Sequence, residues 1–292
     1  MIDRFLKLFD PNYKKGLNTG FKKLDELGGL PKGALTIIAS GTGVGKSLFA
    51  TQILINLARE KIKSVYFELE NGYDITTQRL LRNYCFMNNE IFNQENIEIA
   101  KLKFQELEDL ISIWYYEQLD ETNIVESIIE KLEIYKSQVE VYLVDNLESL
   151  SSKVNAQDIY KEQSDLIKKL QEFANTYNKS IILTHHIRKD TISSKKLIDG
   201  QMPKADVIIP SLENIKGSGN ITNFAHSVWG IVRDKDSKSK TERSITRLRI
   251  LKNRTGLSGE CVFYLDEETL SFQDKPIFDS MGYTGYSKFT NL

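Results

Sequence analysis

A glycine-rich run between an apolar stretch and an amphipathic stretch constrains the fold of this chain most strongly. The run spans Ser40–Ser47 (Ser-Gly-Thr-Gly-Val-Gly-Lys-Ser), and the residues before it, Leu35–Ala39, form a mostly apolar β-rich segment. Apolar residues after it recur at helical spacing: Leu48, Phe49, Ile53 and Leu54. A strand, a glycine-rich turn and a helix in this order are typical of a phosphate-binding loop, because backbone amides and the helix N-terminus both face the anion.

The residues of this P-loop have distinct expected roles around a nucleoside triphosphate. The glycines let the backbone curl so that successive N–H groups point at phosphate oxygens. Lys46 is expected to contact the β- and γ-phosphates, and the Ser47 hydroxyl to bind Mg²⁺. Ser40 stands where the usual pattern has its first glycine. The expected nucleotide-binding residues are Ser40, Gly41, Thr42, Gly43, Val44, Gly45, Lys46, Ser47 and Leu48.

Beyond the P-loop, β-rich runs alternate with helical stretches, which predicts an α/β fold with a mainly parallel sheet and crossover helices. After a polar stretch at Lys189–Lys216, further strands are expected to pair as antiparallel hairpins that extend the sheet. Asp234–Glu242 is predicted to be one exposed turn. The predicted strands are Leu35–Ala39, Ser64–Leu69, Ile111–Tyr115, Glu140–Asp145, Ser180–Thr184, Ser227–Arg233, Ile245–Leu251 and Cys261–Leu265.

Composition limits the class of protein further. With 292 residues and 40% hydrophobic content, one main domain is expected. The formal net charge of -1 gives no overall attraction to a polyanion, so any nucleic acid would be bound through local loops. Two cysteines are too few for a disulfide framework, and no apolar run approaches the roughly 20 residues that span a bilayer. A cytoplasmic protein that does not bind a membrane is expected.

Acidic residues follow two of the predicted strands. Asp145 ends an apolar strand, where a parallel sheet places ligand groups, and is expected to be the second Mg²⁺ partner, acting through water. No acid follows it directly, so the general base must come from elsewhere. Glu70 at the end of the strand Ser64–Leu69 is the best candidate, and Glu68, on the same pleat face but further from the strand end, is its rival.

Two histidines, His185 and His186, follow the strand Ser180–Thr184. A polar group there could sense the γ-phosphate and pass its loss into the following loop. Adjacent residues point to opposite faces of a strand, so only one histidine can do this. Metal binding by the pair is not expected, because no cysteine or third histidine has ligand spacing.

An ordered set of motifs over roughly Leu17–Phe272 resembles the ATPase domain of DnaB-type ring helicases, in particular those of bacteriophage primase-helicases and mitochondrial Twinkle. The resemblance implies a RecA-like P-loop NTPase fold. It also implies that Glu70 is the catalytic glutamate and that His186, rather than His185, senses the γ-phosphate. The motifs are Asn18–Phe21, Gly28–Leu30, Ser40–Ser47, Phe67–Glu70, Val144–Leu147, His186–Lys189, Lys216–Asn220 and Lys252–Gly256.

The resemblance adds roles that the residues alone do not indicate. Arg254 matches the family's arginine finger, and Lys252 would reach the same phosphates, both donated by one subunit into its neighbour's site. A central-channel loop for single-stranded DNA is implied, with lysine at its first position where the family often has arginine, and His226 where the family has an acid. Its residues are Lys216, Gly217, Ser218, Gly219, Asn220 and Asn223.

The domain organisation implied by the resemblance has three parts. Residues 1–16 match a linker helix that docks on the adjacent subunit, 17–274 the RecA-like ATPase domain, and 275–292 a tail. The chain begins almost at the ATPase domain, so no helical collar or zinc-bearing primase is expected, and a separate primase or polymerase is a possible partner. Without a collar, a phage or plasmid replication system is expected.

The expected protein is thus an ATP- and Mg²⁺-dependent DNA helicase that assembles into a ring, expected to be a hexamer, around single-stranded DNA. Two other classes stay open. One is a RecA-like recombination ATPase, which would form filaments. The other is a KaiC-like regulatory ATPase, which would bind protein and lack salt-dependent binding to single strands. A DNA-stimulated translocase that does not unwind is a further alternative.

Overall fold

The computed structural model describes residues 16–85, 97–152, 156–187, 209–215, 222–254 and 257–275. The strands are β1 (Gly16–Leu17), β2 (Leu30–Pro31), β3 (Ala34–Ser40), β4 (Ser64–Glu68), β5 (Ile111–Tyr115), β6 (Val141–Asp145), β7 (Ser180–His186), β8 (Ser227–Arg233), β9 (Ile245–Asn253), β10 (Glu260–Asp266) and β11 (Ser271–Gln273). The helices are α1 (Lys22–Glu26), α2 (Lys46–Arg59), α3 (Tyr73–Cys85), α4 (Ile97–Glu108), α5 (Ile124–Tyr135), α6 (Ala156–Tyr177) and α7 (Lys240–Ser244). The predicted linker helix, save Gly16, and the predicted tail, save Lys275, lie outside the described residues.

One large sheet organises these elements, with the strand order β11-β10-β9-β8-β3-β7-β6-β4-β5. The strands from β3 to β8 are parallel to their neighbours in this group, and β9, β10 and β11 add to it antiparallel. The predicted fold class is therefore confirmed. Strands β1 and β2 form a separate small antiparallel pair.

Strand β8 pairs antiparallel with β9, as predicted for Ser227–Arg233, and it also pairs in parallel with β3, which the prediction did not include. The cause lies at the start of β8. The backbone N–H of His226 donates to the carbonyl of Leu35, so β8 begins beside the start of β3 and runs in the same direction.

Helices cover both faces of the sheet and create two hydrophobic clusters. Ile38 of β3 belongs to the cluster under α2, whereas its neighbours Ile37 and Ala39 belong to the cluster under α5 and α6. Both faces of β3 are buried, which explains why its sequence is a nearly continuous apolar run rather than an alternating one. No helix among the described residues has the length and apolar character needed to cross a membrane.

An aromatic cluster joins the start of the domain, the helix after the P-loop and the antiparallel hairpin. The ring of Phe263 on β10 lies 4.6 Å from that of Phe21 and 5.1 Å from that of Phe49. Phe49 lies in α2, and its ring also meets Phe272 of β11 edge to face at 5.3 Å. The hairpin is therefore anchored to the helix that carries the P-loop lysine.

Truncating the central ring of this cluster should destabilise the whole domain. Phe263 is fully buried, so Phe263→Ala is expected to lower the free energy of unfolding by about 3–5 kcal/mol, through lost apolar burial and the cavity that remains. Urea unfolding followed by circular dichroism measures this. Val262→Ala, on the exposed face of the same strand, is the control and should change the value by about 0.5 kcal/mol or less. Equal effects of the two substitutions would contradict this packing.

Candidate functional site

The register of the parallel strands brings the predicted polar residues to one edge of the sheet. Ser40 at the end of β3 pairs with His186 at the end of β7, and Glu68 at the end of β4 pairs with Asp145 at the end of β6. These are neighbouring strands in the sheet order. The P-loop leaves the sheet at the same edge, since it follows β3 directly.

The backbone of the P-loop explains the departure at Ser40. Within the loop, Gly43 and Gly45 have positive φ angles of 74° and 111°, a conformation that favours glycine. Ser40 instead ends β3 in extended conformation, is fully buried, and donates its hydroxyl to the carbonyl of Gly41 at 2.9 Å. A side chain is therefore accommodated at this position.

The side chain of Leu48, the last of the predicted nucleotide-binding residues, packs against the hydrophobic core.

The two P-loop side chains expected to bind nucleotide contact the strand-end residues directly. The Lys46 ammonium lies 2.9 Å from Nε2 of His186, and the Ser47 hydroxyl donates to Oδ1 of Asp145 at 3.1 Å. Lys46 is only 6% exposed, so its charge is held in the site rather than in solvent. Burial, with the charge of Lys46, lowers the pKa of His186, which favours the neutral imidazole.

Asp145 is a fully buried carboxyl group surrounded by hydroxyls. Besides the Ser47 hydroxyl, the hydroxyls of Thr184 and Tyr66 donate to it, the latter at 3.4 Å. Burial raises the pKa of Asp145, while its hydrogen bonds from Thr184 and Ser47 and the charge of Lys46 oppose the rise. A hydroxyl and a carboxylate in contact are oxygen donors of the kind Mg²⁺ prefers, so Ser47 and Asp145 fit the predicted metal site. No cluster of three or more acidic, histidine or cysteine side chains that could hold a metal lies within the described ranges.

The structure separates the two candidate glutamates. Strand β4 stops at Glu68, one residue earlier than predicted, and Glu70 lies beyond it as an exposed carboxylate that accepts a hydrogen bond from the Asn146 side chain. Glu68 is buried, and its Oε1 accepts from the backbone N–H groups of Glu70 at 3.0 Å and Asn71 at 2.8 Å. Glu68 therefore supports the turn that presents Glu70, and its own carboxylate is occupied.

The two histidines face opposite ways, as the strand geometry requires. His186 turns to Lys46, while His185 is buried with its Nδ1 2.8 Å from Oε1 of Glu148. Burial alone would raise the pKa of Glu148, but the hydrogen bond with His185, the nearby histidine rings and the backbone N–H of His186 lower it to about 2. The geometry thus sets His186 beside the P-loop and His185 against the Glu148 carboxylate.

Arg254 and Lys252 are not brought to the P-loop of their own chain. The N–H of Arg254 donates to His226, whose own N–H donates to Leu35 at the start of β3. Leu35 and Ser40 are separated along β3 by about 16 Å at 3.3 Å per residue, so Arg254 lies at the opposite edge of the sheet. The Arg254 guanidinium there donates to the carbonyl of Asn223 at 2.7 Å, and the Lys252 ammonium donates to that of Thr222.

The predicted DNA-binding loop is described only at one end. Lys216, Gly217, Ser218, Gly219 and Asn220 lie outside the described residues, whereas Asn223 is exposed at the end of the loop that Arg254 and Lys252 hold.

The sequence-based predictions missed two cations beside the P-loop, because Arg233 ends a predicted strand and Lys235 lies in the predicted exposed turn. The Arg233 guanidinium donates to the carbonyls of Val44 and Gly43. The Lys235 ammonium lies close to Gly43, because a Cβ atom built on that glycine would be 3.0 Å from it. The only signal for them in the sequence is a run of basic residues in a turn that also carries acids.

A parallel sheet with a P-loop after its central strand, and with an acid and a histidine at the ends of neighbouring strands, defines a RecA-like P-loop ATPase domain. The sequence profile of the family described as "DnaB-like helicase C terminal domain" matches residues 16–274, so the chain belongs to that family.

Solved structures have the same fold. "The Structure Of A DnaB-Like Replicative Helicase And Its Interactions With Primase" superposes with a TM-score of 0.75 at 19% identity, covering 93% of this chain and 66% of that one. A second solved structure, described as an ATPase domain, superposes with a TM-score of 0.74 at 18% identity, covering 93% of this chain and 95% of that one.

Two curated proteins are similar in sequence. A DNA repair and recombination protein RadB of Methanobrevibacter smithii is 27% identical over 187 residues, which cover 63% of this chain and 72% of that protein. A probable plasmid replicative DNA helicase of Chlamydia psittaci is 22% identical over 251 residues, 84% of this chain. This chain spans only 52% of the length of the plasmid helicase.

Removing the buried charge of Glu68 should make stability less dependent on pH. Burial, with the nearby Asp145 charge, raises the pKa of Glu68. Above about pH 4.5 the Glu68 carboxyl group therefore binds its proton more tightly in the folded protein than in the unfolded chain. The contribution of this protonation to the free energy of unfolding is therefore fully present at low pH, and it is lost as the pH rises through the folded-state pKa of Glu68. Glu68→Gln has no such proton and keeps an acceptor for the Glu70 and Asn71 amides.

Glu68→Gln is thus expected to melt at a higher temperature than the wild type near pH 8, by a margin that shrinks as the pH falls towards 4.5. Calorimetry across this range measures the margin. Glu130→Gln, an exposed substitution on α5, should leave the melting temperature unchanged at each pH. A Glu68→Gln variant that is less stable than the wild type at pH 8 would show that the buried carboxylate stabilises the fold.

Proposed function

We propose that this chain is the motor domain of a ring-forming replicative DNA helicase, which hydrolyses ATP between adjacent copies and translocates on single-stranded DNA. The observation that carries the proposal is the separation of Arg254 from its own P-loop across the sheet. A finger at that edge can complete only the site of a second copy. Membership of the DnaB-like family supports the same arrangement.

Within one copy, the P-loop edge has the groups needed to bind Mg-ATP. The P-loop amides and Lys46 would bind the phosphates, and Ser47 with Asp145 would hold Mg²⁺, Asp145 through water. Bound Mg²⁺ supplies charge neutralisation at the phosphates. The contact between the Ser47 hydroxyl and the Asp145 carboxylate favours this assignment, because it brings the two oxygen ligands to one point.

We assign the general base to Glu70 and the γ-phosphate sensor to His186. The Glu70 carboxylate is exposed at the P-loop edge and accepts a hydrogen bond from Asn146, which supports a role in accepting a proton from an attacking water. His186 contacts Lys46, so a change in the position of Lys46 would be passed through His186 to the residues that follow it. That segment leads through the chain to the proposed DNA-binding loop, Lys216–Asn220 with Asn223.

The proposed finger and the proposed DNA loop are tied together within each copy. Lys252 donates to the backbone carbonyls of Thr222 and Asn223, and Arg254 donates to that of Asn223, at the end of that loop. Movement of the finger at one interface would therefore move the end of the loop. We further propose a hexamer encoded by a phage or plasmid replication system, with a separate primase as a candidate partner; one similar solved structure concerns a replicative helicase and primase.

A recombination ATPase is the second candidate, favoured by the similarity to RadB. Such a protein would assemble into open filaments, whereas a replicative helicase would form closed rings. Negative-stain electron microscopy with a non-hydrolysable ATP analogue and a short single strand distinguishes the two. Rings support the helicase assignment, and filaments with or without DNA would contradict it.

Removal of the finger should abolish turnover and spare nucleotide binding. Arg254→Ala is expected to lower single-stranded-DNA-stimulated ATPase activity by about three to five orders of magnitude, because the charge that develops on the transferred phosphoryl group loses its partner. The affinity for a fluorescent ATP analogue should stay close to that of the wild type. Arg249→Ala is the matched control and should keep full activity. Arg249 is an exposed arginine on β9, the strand that Arg254 directly follows, and it forms an ion pair with Glu260.

The wild type itself provides the reference for this experiment. Its ATPase rate is expected to rise on addition of single-stranded DNA, with a stimulation that weakens at high salt. Hydrolysis by a monomer that DNA does not stimulate would contradict the proposed function.

A further inference from the structure

The last residue of β8, Arg233, carries a guanidinium that is hydrogen-bonded to the back of the P-loop. Nε of Arg233 donates to the carbonyl of Val44 at 3.0 Å, and Nη2 donates to the carbonyl of Gly43 at 3.3 Å. The Arg233 side chain is only 9% exposed. Two consecutive peptide carbonyls of the P-loop are thus held by one rigid donor pair.

The orientation of these carbonyls decides where the P-loop amides point. Both peptides are trans, and in a planar trans peptide the N–H points away from the C=O of the same unit. When the carbonyls of Gly43 and Val44 face Arg233, the N–H groups of Val44 and Gly45 face the opposite, concave side of the loop. Those are amides that a phosphate-binding loop must direct at the anion.

The remaining donors of Arg233 are anchored to the antiparallel part of the sheet. Nη1 donates to the carbonyl of Arg243 at 3.1 Å and lies 3.4 Å from Oε1 of Glu267, which follows β10. Arg243 itself reaches both oxygens of Glu267 at 3.3 and 3.4 Å. The guanidinium is therefore fixed by α7 and by the end of β10, with no freedom to leave the P-loop without breaking these contacts.

Lysine could not replace this arrangement. An ammonium is a single point on a flexible stem, whereas the planar guanidinium presents donors in a fixed fork that meets two carbonyls at once. Burial lowers the pKa of Arg233 and the Glu267 carboxylate acts against that change, so the pair keeps the charge on the guanidinium.

We propose that Arg233 is a positioning residue for nucleotide binding: it holds the P-loop peptides in the orientation that receives phosphate before nucleotide arrives. The inference rests on the proposed binding of ATP by this loop. Without Arg233 the loop samples other peptide orientations. The apparent affinity for nucleotide then falls in proportion to the fraction of molecules whose P-loop is oriented to bind phosphate. Once nucleotide is bound, the phosphates themselves hold the amides, so the rate of hydrolysis at saturation is retained.

The test compares substitutions at Arg233 with a matched substitution at Arg243, which shares Glu267 but contacts no P-loop atom in the described part of the chain. Arg233→Met keeps the apolar stem and removes both hydrogen bonds to the P-loop, together with those to Arg243 and Glu267. The variant is expected to raise the dissociation constant for Mg-ATPγS, measured by calorimetric titration, by about tenfold or more. This is the usual effect of losing a charge-assisted hydrogen bond. Arg233→Lys should recover part of the loss. Arg243→Met should bind with wild-type affinity.

Steady-state kinetics provides the second readout. For Arg233→Met and Arg233→Lys, KM for ATP should rise by the same factor as the dissociation constant, while kcat at saturating ATP stays within about threefold of the wild type, as expected for a loss of uniform binding. A purely structural role would lower the melting temperature and leave KM unchanged.

Several results would overturn the proposal. They are wild-type affinity in Arg233→Met, an equal loss of affinity in Arg243→Met, or failure of both Arg233 variants to fold, which would make Arg233 a support of the fold. Failure of the proposed function looks different, because the wild-type protein itself would then not bind Mg-ATPγS.

Discussion

The pairing of β3 with β7 and of β4 with β6 is the constraint on which the site depends. Because these strands are parallel and in register, Ser40 ends beside His186 and Glu68 beside Asp145. The P-loop leaves the sheet at this edge, so Lys46 meets His186 and Ser47 meets Asp145 without further adjustment. A shift of one residue in either pairing would turn these side chains to the other face and disperse the site.

The same sheet separates the proposed finger from the P-loop of its own copy. The proposed finger residues lie at the end of β9, next to the start of β8, which in turn pairs with the start of β3, far from the P-loop at the other end of β3. Their hydrogen bonds to Thr222 and Asn223 join them to the end of the proposed DNA loop. The hydrogen-bonded finger and loop end would thereby connect the nucleotide at one subunit interface with the DNA at the centre of a ring. The P-loop is in turn held from behind by Arg233, which the antiparallel extension of the sheet anchors.

The sequence was informative where a residue's role follows from its position in a strand–turn–helix unit. The P-loop, the acid at the end of β6 and the strand-end histidines were all recognisable, because hydrophobic periodicity predicts strands and parallel strands end together. The opposite orientations of His185 and His186 follow from the same geometry. The sequence pattern was less informative where the answer depends on long-range contacts. The parallel pairing of β8 with β3 depends on contacts between residues far apart in sequence, such as the hydrogen bond from the His226 N–H to the Leu35 carbonyl, which no local pattern specifies.

Residues that act through the backbone were the hardest to find. Arg233 and Glu68 work by bonding to main-chain atoms of the P-loop and of the turn that carries Glu70, and such contacts leave no signature in residue spacing. The roles of Arg254 and Lys252 came only from resemblance to a family, since in sequence they form an ordinary basic turn. Their position at the far edge of the sheet now adds a physical reason for action on a second copy.

The central claim, that the ATPase site is shared between copies, is tested most directly by mixing two inactive variants. Lys46→Ala lacks phosphate binding but keeps its finger, and Arg254→Ala lacks the finger but keeps its P-loop. Each alone should hydrolyse ATP at background rates in the presence of single-stranded DNA. Mixed before assembly, they should regain a measurable fraction of wild-type activity, because some interfaces then combine an intact P-loop with an intact finger. Activity that stays at background in assembled mixtures at every ratio would contradict a shared site.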